Sequence, residues 1–311
     1  MGTPAAAVPT LQRCLADGHE VVAVWTQPDR PSGRGHKITA SPVKTLALAH
    51  NLPIYQPEKI RTAEAKALFA SHEADVAVVV AYGRILPEEF LRAPTHGCIN
   101  VHFSMLPRYR GAAPVNWAIV KGESTTGVTT MFLVQELDAG PILLQQETAI
   151  GLETAPELMS RLAPLGANLL SHTLAQLDRI VPQSQDDREA TFAPMLKRED
   201  GMINWSSSAV EIERSVRGFQ PWPGAYTNFR FERLIVWKAE VVTASTGGEP
   251  GEILNAAGDD FLVSCGSGSV LRLLELQAQG KRRMSSRDFL NGSHPIVGEK
   301  FASTVIPSNA S

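Results

Sequence analysis

Asn100 and His102 stand two residues apart at the end of the apolar run "GCINVH", directly before "FSMLPRYRGAAP", whose two prolines and two arginines must end a strand. Side chains two apart on a strand share a face. An amide beside an imidazole suits acyl transfer, because the amide can donate to an oxygen that gains negative charge while the imidazole carries a charge or a proton. For either residue alone, burial with backbone partners is the plainer reading. Side by side at a strand end, before a proline, they point to a ligand site.

Asp138 lies in "ELDAGP", a turn whose Gly and Pro can hold an acidic side chain near a sheet edge. An Asp there commonly makes only an Asx turn. Joined to His102, its carboxylate would fix the imidazole tautomer and stabilise the charged ring, although nothing in the sequence forces the contact. Ser104 lacks a G-x-S-x-G elbow, which argues against a nucleophilic serine. There is no H-E-x-x-H or other compact ligand set, and His96 with His102 makes a weak pair, so no metal is expected.

These groups need elements to hold them. Residues 20–26, "EVVAVWT", read as a buried strand that stops at "QPDRP". Before it, "PTLQRCLADGH" has helical spacing and ends at Gly18. After it, "SPVKTLALAHN" starts a helix with Ser41 as N-cap and Pro42 at the first position. The alternation repeats with a helix near 62–72, a strand at 75–82, a short helix near 87–92 and the strand at 97–102. Continuous apolar strands alternating with helices mean a mostly parallel sheet covered on both faces, and its ligands sit at the carboxyl ends of the strands.

A hairpin of 126–134 and 140–150 follows, then a long helix over 153–181 with Thr154 as N-cap and a possible break at Pro164. Residues 182–194 are polar and aperiodic, a linker. "RLIVWKAEVV", "GEILNAA", "DFLVSC" and "VLRLLELQ" are then closely spaced strands of a small all-β barrel. The expected organisation is an α/β domain over 1–181, a linker over 182–201 and an OB-like barrel over 202–311. A doubly wound sheet also needs a strand before its first helix, and "MGTP" supplies only the end of one, so part of that strand is expected upstream.

The 311 residues accommodate two domains, and 43% apolar with 20% charged residues is ordinary for a globular protein. No apolar run is long enough to span a membrane. Cys14, Cys98 and Cys265 are far apart and odd in number, which fits a reducing cytoplasm. No apolar heptad points to an obligate oligomer, so a monomer is expected. A net charge of −3 argues against a strongly basic nucleic-acid coat. Any polyanion site must therefore be local. Arg30, Arg34 and Lys37 lie on one Gly/Pro loop, and Lys281, Arg282, Arg283 and Arg287 lie in the second domain. Such runs are usually solvated faces, but two of them on separate domains fit a polyanion that spans both. Trp222, between prolines in "RGFQPWPGAY", reads as a packed turn.

The stretch "INVHFSMLPRYRGAAPVNWAI" resembles the signature of the folate-dependent formyltransferases, "VVVAYGRILP" is similar to their pterin-side loop, and "LDAGPIL" resembles the stretch with their catalytic Asp. "TQPDRPSGRGHK", "SPVKTLA", "QPEKIR", "RGFQPWPGAY" and "GKRRMSSRDFL" are similar to the members whose acceptor is initiator methionyl-tRNA. The resemblance runs from Gly2 to about residue 290. It implies a Rossmann-like formyltransferase domain and an OB-like domain that helps hold tRNA. The implied reaction is direct formyl transfer from 10-formyltetrahydrofolate to the methionine amino group, through a tetrahedral intermediate.

By the same resemblance Asn100, His102 and Asp138 are the catalytic trio. Ser104, Met105, Leu106, Pro107, Tyr82, Gly83, Ile85 and Leu86 line the folate site, and Arg34 lies in the loop that reaches the acceptor stem; from the two basic clusters, Arg30, Lys37, Lys281, Arg282 and Arg283 are expected to meet tRNA as well. Phe103 and Met105 depart from the commoner residues, which should alter the pocket wall rather than the chemistry. Two other readings stay open: formylation of a small amine, such as an amino sugar or glycinamide nucleotide, and a non-catalytic RNA binder. The basic loop and second domain speak against the first, and the intact trio speaks against the second.

Overall fold

The computed structural model describes residues 1–32, 37–243 and 248–302. Its chain separates into two compact units, one built from Met1–Pro114, Thr125–Ala149 and Leu158–Pro194, the other from Val115–Ser124, Ile150–Glu157 and the chain from Met195 onward.

In the first unit, α1 (Val8–Ala16) precedes β1 (Val24–Trp25), the hairpin of β2 (Arg30–Ser32) and β3 (Lys37–Thr39), α2 (Pro42–Ala49), β4 (Ile54–Tyr55) and α3 (Ala63–Ala70). Then come β5 (Ala77–Val79), α4 (Glu88–Arg92) and β6 (Cys98–His102). The helix α5 (Pro114–Lys121) follows in the chain but falls, from Val115 on, in the second unit; the strands β7 (Thr125–Phe132) and β8 (Ile142–Ala149) and the helix α6 (Ala155–Ala175), from Leu158 on, complete the first. Ser41 caps α2 as its sequence requires, its hydroxyl accepting from the Lys44 amide. Gly18 follows α1 at φ +82°, where glycine suffers no Cβ clash.

β1 and β4 are parallel, as are β5 and β6, whereas β7 and β8 run antiparallel beyond β6. Met1 and Gly2 lie between the two parallel pairs. The Gly2 amide donates to the Trp25 carbonyl, and the Met1 carbonyl accepts from the Val80 amide. The strand expected over 20–26 is therefore only two residues long, because Pro53, Tyr55 and Gly2 offer backbone partners to residues 24–26 alone. A cavity of about 360 Å³ lies beside it, lined by Met1, Val21, Ala74 and Val78 among others. The long helix also ends earlier than expected, at Ala175, but runs unbroken through Pro164. Burial of Leu158, Leu162 and Leu170 along it outweighs one missing hydrogen bond.

Residues 182–194, aperiodic in sequence, are bonded to the first unit along their length. Gln183 exchanges both backbone hydrogen bonds with Ile142, and Arg110 does the same with Thr191 and Ala193.

The second unit contains α7 (Ala209–Gly218), β9 (Ala225–Phe229), β10 (Glu232–Val242), β11 (Ile253–Ala257), β12 (Asp260–Ser264), β13 (Val270–Ala278), β14 (Met284–Ser285) and α8 (Ser286–Ser293). Its sheet runs β11-β12-β13-β10-β9. Residues 298–302, which no periodicity marks, bond to Gly251 and Ile253 at one edge and to Asn228 at the other, so the sheet closes on itself as a small barrel. Trp205, Phe229, Phe261, Phe289 and Phe301 fill its core. Among the described residues, no helix is long and apolar enough to cross a membrane.

Candidate active site

β5 and β6 are parallel, with Val79 beside Asn100, so the segments that follow them, 80–87 and 103–108, leave the sheet at one edge. Along β6 the side chains alternate. Val101 faces α6, close enough that a Cβ on Gly166 would stand 2.7 Å from its Cγ1. Asn100 and His102 therefore project together from the opposite face, as their spacing requires.

Asn100 is 9% exposed, and among the described residues no hydrogen bond to its side-chain amide is seen. The amide is not among the groups that are both fully buried and unpaired, so its polar atoms keep access to a group supplied from outside. His102 Nε2 lies 3.0 Å from the Tyr109 carbonyl oxygen. A carbonyl only accepts, so that nitrogen carries a hydrogen, and Nδ1 is the position left to gain or lose a proton. Nδ1 faces Asp138 Oδ2 at 3.7 Å. That is about 0.9 Å longer than a charge-assisted hydrogen bond of about 2.8 Å, so the pair is poised for ionic contact rather than locked.

Asp138 is 7% exposed and sits at φ +51°, a left-handed conformation that Asp tolerates better than most residues. The Gly111 amide donates to its Oδ2 at 2.8 Å. Two glycines make this approach feasible. A Cβ on Gly140 would stand 1.8 Å from the Phe132 carbonyl oxygen, and one on Gly111, at φ +126°, would stand 2.5 Å from that of Ala193. The "DAGP" turn is thus more than an Asx turn: it brings a carboxylate to an imidazole 36 residues away in sequence.

A second layer supports the loop after β6. Thr129, opposite His102 on β7, donates to the Ser104 carbonyl at 2.7 Å and accepts from the Leu106 amide and from Gln145 Nε2. Gln145 Nε2 also donates to the Leu106 carbonyl at 2.8 Å. Sequence reasoning missed both residues. The signal for Thr129 was a polar residue at an inward position of a hairpin, readable only once the register is known, whereas Gln145 is exposed and carried no such signal.

Of the residues expected to line a folate site, Met105 and Pro107 are half-buried, and Gly83 and Ile85 are exposed at the same sheet edge. Tyr82 and Leu86 pack in the core with Trp25, Phe69 and Phe90. The Ser104 hydroxyl is fully buried and donates to the Arg108 carbonyl, and Leu106 packs on Met131 and Ile142.

Among the basic residues, Arg30 lies exposed on β2, Lys37 is on β3, and Arg34 lies outside the described residues. Lys281 and Arg282 are exposed. Arg283 and Arg287 form ion pairs with Glu275 and Asp259, which lowers the free positive charge expected of that cluster. Trp222 is 54% exposed, not the packed turn its flanking prolines implied.

Residues 1–174 match the family model "Formyl transferase", and residues 195–294 match "Formyl transferase, C-terminal domain". The chain is 50% identical over 303 residues to a methionyl-tRNA formyltransferase of Solibacter usitatus, covering 96% of each chain. It is 48% identical over 295 residues to that of Geobacter metallireducens, covering 94% of each. Among solved structures, an N-formyltransferase of Helicobacter canadensis in complex with folinic acid and dTDP-3-aminofucose has the same fold. The TM-score is 0.65 at 17% identity, over 88% of this chain and 96% of that one.

Proposed function

From the membership of this chain in the formyltransferase family, to which it belongs in both its amino-terminal and carboxy-terminal modules, we infer that it formylates the amino group of methionine on initiator tRNA. It uses a folate-type donor, which we assign as 10-formyltetrahydrofolate. The identity of about half the residues with methionyl-tRNA formyltransferases over nearly the whole chain supports this acceptor over an amino sugar or a glycinamide nucleotide. The work of such an enzyme is translation initiation, so we place it in the cytoplasm.

The observation that carries the catalytic assignment is the partnerless amide of Asn100 beside His102 at the sheet edge. The folate supplies the activated formyl group, and the chain's part is placement and electrostatics. As the amine attacks, the formyl oxygen gains negative charge, and the Asn100 amide is free to donate to it at the moment when such a bond is strongest. The attacking nitrogen must shed a proton. Nδ1 of His102 is the site that can take it, because Nε2–H is committed to the Tyr109 carbonyl. Asp138 stabilises the resulting imidazolium, and that proton can pass to the folate nitrogen as its bond to the formyl carbon breaks. Arg30, Arg34, Lys37, Lys281, Arg282 and Arg283 are assigned to tRNA phosphates, and Arg30, Lys281 and Arg282 are exposed with no ion pair among the described residues. Residues 1–181 form the catalytic domain in this reading, and residues 202–311 the tRNA-contacting one.

The test is transfer by the purified chain from 10-formyltetrahydrofolate to charged initiator tRNA, with a nucleotide-linked amino sugar and glycinamide ribonucleotide as competing acceptors. Formyl-methionyl-tRNA as the sole product is expected. Comparable kcat/KM for either small amine would overturn the acceptor assignment.

A further inference from the structure

We propose that Gln185, on the stretch that sequence alone reads as a linker, is a positioning residue for Asp138, and that Arg110 holds Gln185 in place. Nε2 of Gln185 donates to the backbone carbonyls of both Asp138 and Gly140, each at 2.8 Å. An amide nitrogen has two hydrogens, and each carbonyl takes one. Two carbonyl dipoles that converge on one point repel each other, and the donor between them removes that penalty. It thereby holds Asp138 in its left-handed conformation, which is strained for a residue other than glycine.

The other end of Gln185 is equally constrained. Its Oε1 accepts from Arg110 Nε at 2.9 Å. Arg110 is 3% exposed, and its Nη2 donates to Asp187 Oδ1 at 2.8 Å. Its backbone amide and carbonyl are both bonded to the chain at Thr191 and Ala193. The contacts close a ring: the Gly111 amide to Asp138 Oδ2, the Asp138 carbonyl to Gln185, Gln185 to Arg110, and Arg110 back to Gly111 through the peptide bond. No neighbour can replace Gln185, because a side chain must both donate twice and accept from a guanidinium at that reach. Glutamate lacks the donors, and methionine has the length but neither function.

This inference rests on the reading of Asp138 as a catalytic group, so the test carries D138N beside Q185M and Q185E. All are assayed as full chains for formyl-methionyl-tRNA formation, with the folded fraction fixed by thermal midpoint and by the number of tRNA sites per chain. Q185M is expected to lower kcat at least 10-fold with KM for both substrates within 2-fold. Q185E should fall further, since it presents an oxygen to two carbonyls. A residue that merely fills space would leave both isosteric variants alike and near wild type. If D138N is inactive while both Q185 variants keep kcat within 2-fold, the positioning role is wrong. If D138N itself keeps full transfer, the catalytic reading fails and the inference falls with it. Should Q185M not fold, Q185E alone decides by the same kcat criterion.

Discussion

Around β1 and β4, the sheet of the first unit is packed by rings. Trp25 stacks on Tyr55 and meets Phe69 and Phe90 edge-on, and Phe69 stacks on Phe90 at 4.1 Å between centroids. Around β6, β7 and β8 the neighbours of the site are tied by hydrogen bonds instead, through Thr129, Gln145 and Gln185. The first region has strands of two or three residues and the cavity beside them. The second has strands of five and eight residues. Ring contacts are strong but weakly directional, so they fix burial and tolerate small slides. Hydrogen bonds fix direction, which is what the amide, imidazole and carboxylate of the proposed trio would need to act on one carbonyl.

If that division holds, stability and activity should separate by region. The largest effect is expected from His102→Ala, which should lower kcat by about 10²–10⁴-fold while leaving the thermal midpoint nearly unchanged; an unfolded variant would show that the site side of the sheet also carries the core. Phe90→Ala, in the ring-packed half, should cost about 3–5 kcal/mol of stability, read by denaturant unfolding. Transfer per folded molecule should stay within about 2-fold, a range well below one factor of ten, or 1.4 kcal/mol.

Thr129→Val tests the boundary between the two behaviours. It strands the Ser104 carbonyl and the Leu106 amide, so a loss of about 1–3 kcal/mol is expected, with a measurable fall in kcat because the loop after β6 loosens. A stability loss with no change in kcat would show that this layer supports the fold and not the site.

The smallest effect concerns His72. Burial lowers its pKa below 6.5, and its Nε2 accepts from the Trp25 indole at 3.1 Å, which only the neutral ring can do. A base with a lowered folded pKa contributes stability that is complete above the unfolded value and is lost as pH falls through that value toward the folded one. Between pH 7.5 and 5.5 the wild type should therefore lose slightly more thermal midpoint than His72→Gln, while the relative rates of the two enzymes stay constant. Equal slopes for the two proteins would remove His72 from the account.

Much of the site could be read from the sequence because its signals are local. The two-residue period placed Asn100 and His102 on one face, and Ser41 with Pro42 announced α2. Asp138 was legible as a turn residue, and its pairing with His102 was offered but not forced, since that contact depends on how the hairpin folds over the strand end. Thr129, Gln145 and Gln185 were invisible for the same reason, each finding partners across strands or 45 or more residues away in the case of Gln185. The pairing of Arg283 with Glu275 needs β14 laid on β13, and that of Arg287 with Asp259 needs α8 beside β12, while the closure of the barrel uses residues 298–302, whose short run carries no periodicity.

The segment 109–111 touches both His102 and Asp138, the Tyr109 carbonyl on His102 and the Gly111 amide on Asp138. A shift of that segment therefore carries imidazole and carboxylate in the same sense, so their separation behaves as a differential quantity from which shared displacement cancels. In the proposed mechanism a displacement of the segment would then change the aim of the pair toward the formyl carbon more than it changes the separation within the pair.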